Sequence, residues 1–113
     1  MNRAVFFDRD NTLIFDKGYT YKTDDLSWMP GSINGLHAFS LKGFKLVVIT
    51  NQSGVARGYY NEKELNCFHN HMNQDLFLQA NISIDKFYIL IFQQSLLFNV
   101  WTGSNSDQAL HDG

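Results

Sequence analysis

The stretch Val5-Phe6-Phe7-Asp8-Arg9-Asp10-Asn11-Thr12-Leu13 decides the reading of this chain, because an apolar run stops abruptly at two carboxylates one residue apart. Ala4 to Phe7 are apolar and rich in β-formers, which predicts a short buried strand with the acids at its carboxyl end. Open α/β sheets place their ligands at that end. Alternate residues of a strand share a face, so Asp8 and Asp10 are expected to converge on one cation and one reacting group. The same residues also suit a solvated turn, where acids and Asn are frequent.

A second strand end rhymes with the first. Lys45-Leu46-Val47-Val48-Ile49 is β-branched and gives way to Thr50, Asn51, Gln52, Ser53 and Gly54. A hydroxyl at Thr50 and unpaired backbone N–H groups from Asn51 to Gly54 predict a concavity suited to phosphate oxygens, with Arg57 as a nearby cation. The plainer alternative is a strand-to-helix loop in which Ser53 or Asn51 caps the helix.

Between and after these strands the spacing predicts two helical crossovers. Pro30 opens a segment with Ile33, Leu36 and Phe39 or Ser40 at helical intervals, and Gly43 stops it. Asn61 with Glu64 makes a capping-box signal ahead of the apolar stripe Leu65, Phe68, Met72 and Leu76. Lys86-Phe87-Tyr88 opens a third strand. Strand, helix, strand, helix, strand is the order of a parallel α/β sheet. Asp16 to Met29, polar and aromatic, reads as a flap inserted after the first strand or as an ordinary long loop.

Together these segments resemble the haloacid dehalogenase superfamily of phosphatases, whose first motif is Asp-x-Asp-x-Thr. Arg9 between the acids, Gly18-Tyr19, Pro30-Gly31 and the string Thr50-Asn51-Gln52-Ser53-Gly54-Val55-Ala56-Arg57-Gly58 narrow the likeness to its D-glycero-D-manno-heptose 1,7-bisphosphate 7-phosphatase branch, close to histidinol phosphatase. The likeness runs from Met1 to about Tyr88; Asn11 stands where the branch usually has Gly. The resemblance implies a doubly wound, Rossmann-like sheet and a Mg²⁺-dependent hydrolysis of a small sugar phosphate. In it Asp8 is the nucleophile, Asp10 the general acid and base, and both hold Mg²⁺, Asp8 by its side chain and Asp10 by its carbonyl. Thr50 and Arg57 fall at the phosphate. Asp16, Lys17, Gly18, Tyr19, Asn51, Gln52 and Ser53 fall where the branch meets the rest of its substrate.

The tail departs from that pattern. By resemblance a Cys/His zinc segment, a Lys motif and an acidic motif should follow, yet Lys86 is the last lysine and only Asp107 and Asp112 are acidic beyond it. The expected organisation is an amino-terminal part of a phosphatase domain over 1–88 and a divergent tail over 89–113, with the carboxyl-terminal half of the fold missing or divergent and the zinc site absent. Phosphoryl transfer depends above all on charge stabilisation, so such an enzyme is expected to be truncated and impaired. An unpaired edge of strand one and the uncharged Ile89 to Trp101 run predict self-association and poor solubility.

Composition narrows the remaining classes. At 113 residues and net charge −2, one domain is expected, and the lack of a basic cluster argues against a nucleic-acid partner. No apolar run reaches the roughly twenty residues of a membrane span, and Met1-Asn2-Arg3 lead straight into a strand, so a cytoplasmic protein is expected. Cys67 and His71 share a helix face, but two ligands do not make a tetrahedral metal site, and helical surface polarity explains them. Two other classes stay open: an inactive remnant or interaction module, and a phosphoacceptor domain.

Overall fold

The computed structural model describes residues 3–91. Three parallel strands, β1 (Arg3–Asp8), β2 (Phe44–Asn51) and β3 (Lys86–Leu90), lie in the order β1-β2-β3. The connections carry helices α1 (Ser32–Leu41), α2 (Ser53–Ala56) and α3 (Glu62–Ala80). The fold is α/β with a parallel sheet and helical crossovers, as the order of apolar segments predicts.

The helix boundaries follow from local chemistry. Gly31 precedes α1 with φ 82° and Gly43 follows it with φ 84°, a backbone region that side chains with a Cβ rarely enter. At α3 the capping box is complete: Glu64 N–H donates to Asn61 Oδ1 at 2.8 Å and Asn61 N–H donates to Glu64 Oε1 at 3.0 Å. These bonds satisfy donors that the helix start leaves without partners. Past the helix, the Asn73 side chain clasps both backbone groups of Ile84, and Asp85 accepts from Leu46 N–H at 2.8 Å. The register of β3 against β2 is thereby held from the helix side as well as by the ladder.

Leu36 of α1, the predicted α3 stripe of Phe68, Met72 and Leu76, and Leu46 and Val48 of β2 form one buried cluster, and Leu65 is fully buried too. Each such side chain contributes about 1.5–3 kcal/mol on leaving water. Both long helices pack on the same sheet face, as right-handed crossovers moving in one direction require. The opposite face carries Phe6, Tyr88 and Leu90, exposed at 60%, 51% and 43%. The expectation of a buried first strand is therefore corrected. Among the described residues β1 is the sheet's edge strand with one covered face, so Val5 and Phe7 are sheltered while Phe6 and Asp8 are exposed.

The segment after β1 folds back onto the core. Leu13 and Ile14 are buried; Phe15 N–H donates to the Ser27 carbonyl at 2.9 Å and Met29 N–H to the Leu13 carbonyl at 2.8 Å, closing the flap at its base. Trp28 Nε1 donates to Asp75 Oδ2 on α3 at 2.7 Å. A 3-10 turn at Thr23–Asp25 is the flap's own regular structure. β3 runs two residues past the expected 88/89 boundary, to Leu90. The remainder of the expected divergent tail, residues 92–113, lies outside the described residues.

Candidate active site

The chain leaves the strand after Asp8, so strand alternation does not govern Asp10. A buried cation governs it instead. Arg9 is fully buried; its Nε donates to Asp10 Oδ1 at 2.7 Å, its Nη2 to the Thr20 carbonyl at 2.8 Å, and its Nη1 meets His69 Nε2 at 3.1 Å. The guanidinium also sits 5.2 Å from the centre of the Phe68 ring. Three donors and one ring face thus fix the side chain, and with it the carboxyl of Asp10. Burial pushes the Asp10 carboxyl above its ordinary value, and the charge and hydrogen bond of Arg9 pull only part of the way back. A raised carboxyl is one that can hold a proton to give away.

The second strand end is built differently from the expected amide cradle. β2 extends through Thr50 to Asn51, and Gln52 N–H is taken by the Leu90 carbonyl at 2.7 Å, because pairing with β3 continues to the strand's last residue. Gln52 is buried, with Nε2 donating to Thr50 Oγ1 at 2.6 Å and Oε1 accepting from the Tyr60 hydroxyl. Its side chain also draws the Asp10 carboxyl slightly down against the effect of burial. Burial pushes the Tyr60 phenol up to about 12, so it remains a donor. Gly54 makes this possible, since a Cβ there would run into the Tyr60 ring. α2 follows without a side-chain cap from Gln52, so neither Ser53 nor Asn51 occupies the cap position.

Asp16 organises the flap's tight loop. Its Oδ1 accepts from Gly18 N–H at 3.0 Å and from Thr20 Oγ1 at 3.2 Å, while Thr20 Oγ1 accepts from Lys17 N–H at 2.8 Å. Tyr19 is held with φ 54°, a conformation uncommon for an aromatic residue.

These parts enclose a cleft of about 260 Å³ lined by Asp10, Asp16, Gly18, Tyr19, Asn51, Gln52, Ser53 and Tyr60. All of these except Tyr60 were predicted from sequence, and they converge. Asp8 lies exposed at the end of β1, beside Ile49; Thr50 lies under Gln52; Lys17 is exposed on the loop, and Arg57 is exposed at the end of α2. Arg9, His69 and Tyr60 carry the site from behind without having been assigned roles. Arg9 alone offered a signal, as a lone cation between two acids in an apolar run.

Among the described residues no group of three His, Cys, Asp or Glu side chains can hold a metal. The pair Cys67 and His71 stays a surface feature, with Cys67 exposed. Asp8 offers an exposed carboxylate and Asp10 a main-chain carbonyl two residues on, oxygen donors of the kind Mg²⁺ accepts when water and a substrate phosphate complete its shell.

The family model described as polynucleotide kinase 3 phosphatase matches residues 3–95. The chain belongs to that family. Within it, the curated relatives are heptose bisphosphate phosphatases, and they support the haloacid dehalogenase branch read from the motifs. The D-glycero-beta-D-manno-heptose-1,7-bisphosphate 7-phosphatase of Helicobacter pylori is 40% identical over 88 residues, 77% of this chain and 50% of its own length. That of Haemophilus influenzae is 45% identical over 64 residues, 57% of this chain and 35% of its own. The chain thus spans half or less of the curated relatives it matches. A D,D-heptose 1.7-bisphosphate phosphatase from B. bronchiseptica, solved with magnesium and phosphate, superposes with TM-score 0.72 at 27% identity over 81% of this chain and 51% of that one. A putative HAD-like phosphatase from Mesorhizobium loti shares the fold, with TM-score 0.75 at 24% identity over 83% of this chain and 44% of that one. The curated relatives are named phosphatases, and this chain spans half of them or less. No helix among the described residues is long and apolar enough to cross a membrane.

Proposed function

We propose that these residues form the nucleophile side of a Mg²⁺-dependent sugar-phosphate phosphatase that works through an aspartyl phosphate, and that these 113 residues by themselves are impaired in turnover. The carrying observation is Asp10: a carboxyl raised by burial, clamped by Arg9 and lining a polar cleft, two residues after the exposed Asp8 that ends β1. In this reading a carboxylate oxygen of Asp8 attacks phosphorus and the bond from phosphorus to the sugar oxygen breaks. Asp10 gives its proton to that leaving oxygen. Asp10 then takes a proton from water, the water oxygen attacks phosphorus, and the bond to Asp8 breaks. Asn51, Ser53 and the Asp16 to Tyr19 loop contact the substrate, while Gln52 and Tyr60 keep Thr50 in place. The Asp8 carboxylate and Asp10 carbonyl would hold Mg²⁺, which when bound offsets repulsion between the nucleophile and the phosphate.

Impairment of these residues by themselves is supported by residues 87–113, which hold no lysine. Losing one charge contact to a transferring phosphoryl group costs on the order of a hundredfold. The test is an assay with Mg²⁺ and D-glycero-D-manno-heptose 1,7-bisphosphate, with an Asp8→Asn control. Slow turnover abolished by Asp8→Asn supports the reading; turnover equal to a full-length relative would remove the claim of impairment. A second reading, an inactive remnant that pairs its edge with another chain, is favoured by the position of β1 at the end of the sheet among the described residues. BeF₃⁻ separates the two, since Mg²⁺-dependent binding at Asp8 belongs only to the first.

A further inference from the structure

We infer that His69 is a positioning residue for the general acid: acting through Arg9, it holds the Asp10 carboxyl where its proton meets the leaving oxygen. The inference rests on the phosphatase reading above and adds to it a residue that does not line the cleft. Two of the three groups that accept from the Arg9 guanidinium, the Asp10 carboxyl and the Thr20 carbonyl, lie in the turns that follow β1. The third ties it to a regular element, since His69 Nε2 meets Nη1 at 3.1 Å from within the long helix α3. Phe68, also on α3, attracts the charge with its ring face but selects no particular N–H. The direction in which Arg9 presents its donors is therefore set by the histidine.

The histidine is itself held. Its ring stacks on Phe87 of β3 with centres 4.1 Å apart, and burial keeps it neutral down to about 3, so Nε2 stays an acceptor. It is 3% exposed, and among the described residues its Nδ1 has no partner. A buried donor without an acceptor costs stability, a cost that an apolar side chain in the same place would not carry. What the imidazole supplies instead is the acceptor for Arg9. The consequence reaches the cleft through Asp10, which lines it. Because Arg9 Nε donates to Oδ1, the proton of the protonated acid sits on Oδ2. If the guanidinium loses its third anchor, the carboxyl turns with it, and a displacement of about 1 Å is enough to spoil a proton transfer.

The test separates positioning of the acid from general loss of structure by the leaving group. The sugar oxygen of D-glycero-D-manno-heptose 1,7-bisphosphate needs a proton to leave, whereas p-nitrophenyl phosphate releases a phenolate that does not. His69→Phe keeps a ring against Phe87 and removes the acceptor; His69→Met serves if that variant does not fold. With the full chain and Mg²⁺, the ratio of heptose bisphosphate to p-nitrophenyl phosphate turnover should fall about tenfold in the acceptor-free variant, and His69→Gln should restore it. Without substrate, the Arg9 Nε–H proton resonance should move in the acceptor-free variant and stay in place in His69→Gln. A ratio that is unchanged, or equal losses on both substrates, overturns the inference alone, as does an Nε–H resonance that does not move. Failure of the wild-type chain to hydrolyse the heptose bisphosphate overturns the sugar-phosphate reading, and the inference falls with it.

Discussion

Arg9 Nη1 and His69 Nε2 lie 3.1 Å apart although 60 residues separate them in sequence. A guanidinium can only donate, so Nε2 accepts and the ring proton sits on Nδ1, which has no partner among the described residues. The ring is stacked on Phe87 at 4.1 Å with planes 8° apart. α3, β3 and the first acidic turn are thus joined at one neutral histidine. Burial pushes that histidine down to about 3, with the charge of Arg9 adding to the effect.

A pH dependence of stability follows. As pH falls below the ordinary value of 6.5, the unfolded chain takes up a proton at residue 69 that the folded chain refuses until about 3. Stability therefore declines across that window and is flat in this contribution above it. Asp10, whose carboxyl is raised, contributes with the opposite sign, so comparison with a variant isolates the histidine. His69→Gln keeps an acceptor for Arg9 and should flatten the decline in urea melts between about pH 7 and 4. An NMR titration should find the wild-type His69 ring still neutral about one unit above its value of about 3.

Arg9 should be irreplaceable by lysine. Arg9→Leu strands the Thr20 carbonyl, His69 Nε2 and the half-sheltered Asp10 carboxylate at once, an expected loss of about 3 kcal/mol in a urea melt. Arg9→Lys should recover little, since a compact ammonium cannot span three acceptors in fixed directions.

Gly54→Ala is expected to destabilise the chain by about 1–3 kcal/mol, because its Cβ would enter the buried Tyr60 ring. Displacing Tyr60 also frees Gln52 and with it Thr50. The signature beyond lost stability is the phenol titration followed by ultraviolet absorbance. It should return from about 12 toward 10 for this tyrosine.

Phe6, exposed on the strand that forms the sheet edge among the described residues, should drive self-association. Sedimentation of the wild-type chain at rising concentration is expected to show growing species, and Phe6→Lys should suppress them, as edge charges do in natural sheets. A wild-type chain that stays monomeric over the same range would contradict this.

Periodicity made the architecture legible. The stripe from Leu65 to Leu76 and the Asn61 capping box both turned out as the spacing predicts, because amphipathic helices write their packing into sequence. The site was legible where residues face the cleft, as with Asp10, Tyr19 and Asn51. It was not legible where one side chain acts through another. Gln52 lines the cleft as its sequence reading expects, but its bonds to Thr50 and Tyr60 behind the wall are not readable from the string. Nothing local marks His69, because its partner, Arg9, is distant in the chain. The exposure of Phe6 was hidden for a related reason: an apolar run does not say which of its two faces a helix will cover.

The placement of α1 and α3 on a single face carries a topological consequence for anything that would complete the sheet. A further parallel strand at the free edge of β1 must be reached by moving in the reverse direction across the sheet. With right-handed connections, that reversal carries the linking helix to the face now showing Phe6, Tyr88 and Leu90. One added crossover unit would therefore close the open edge and roof the bare side together.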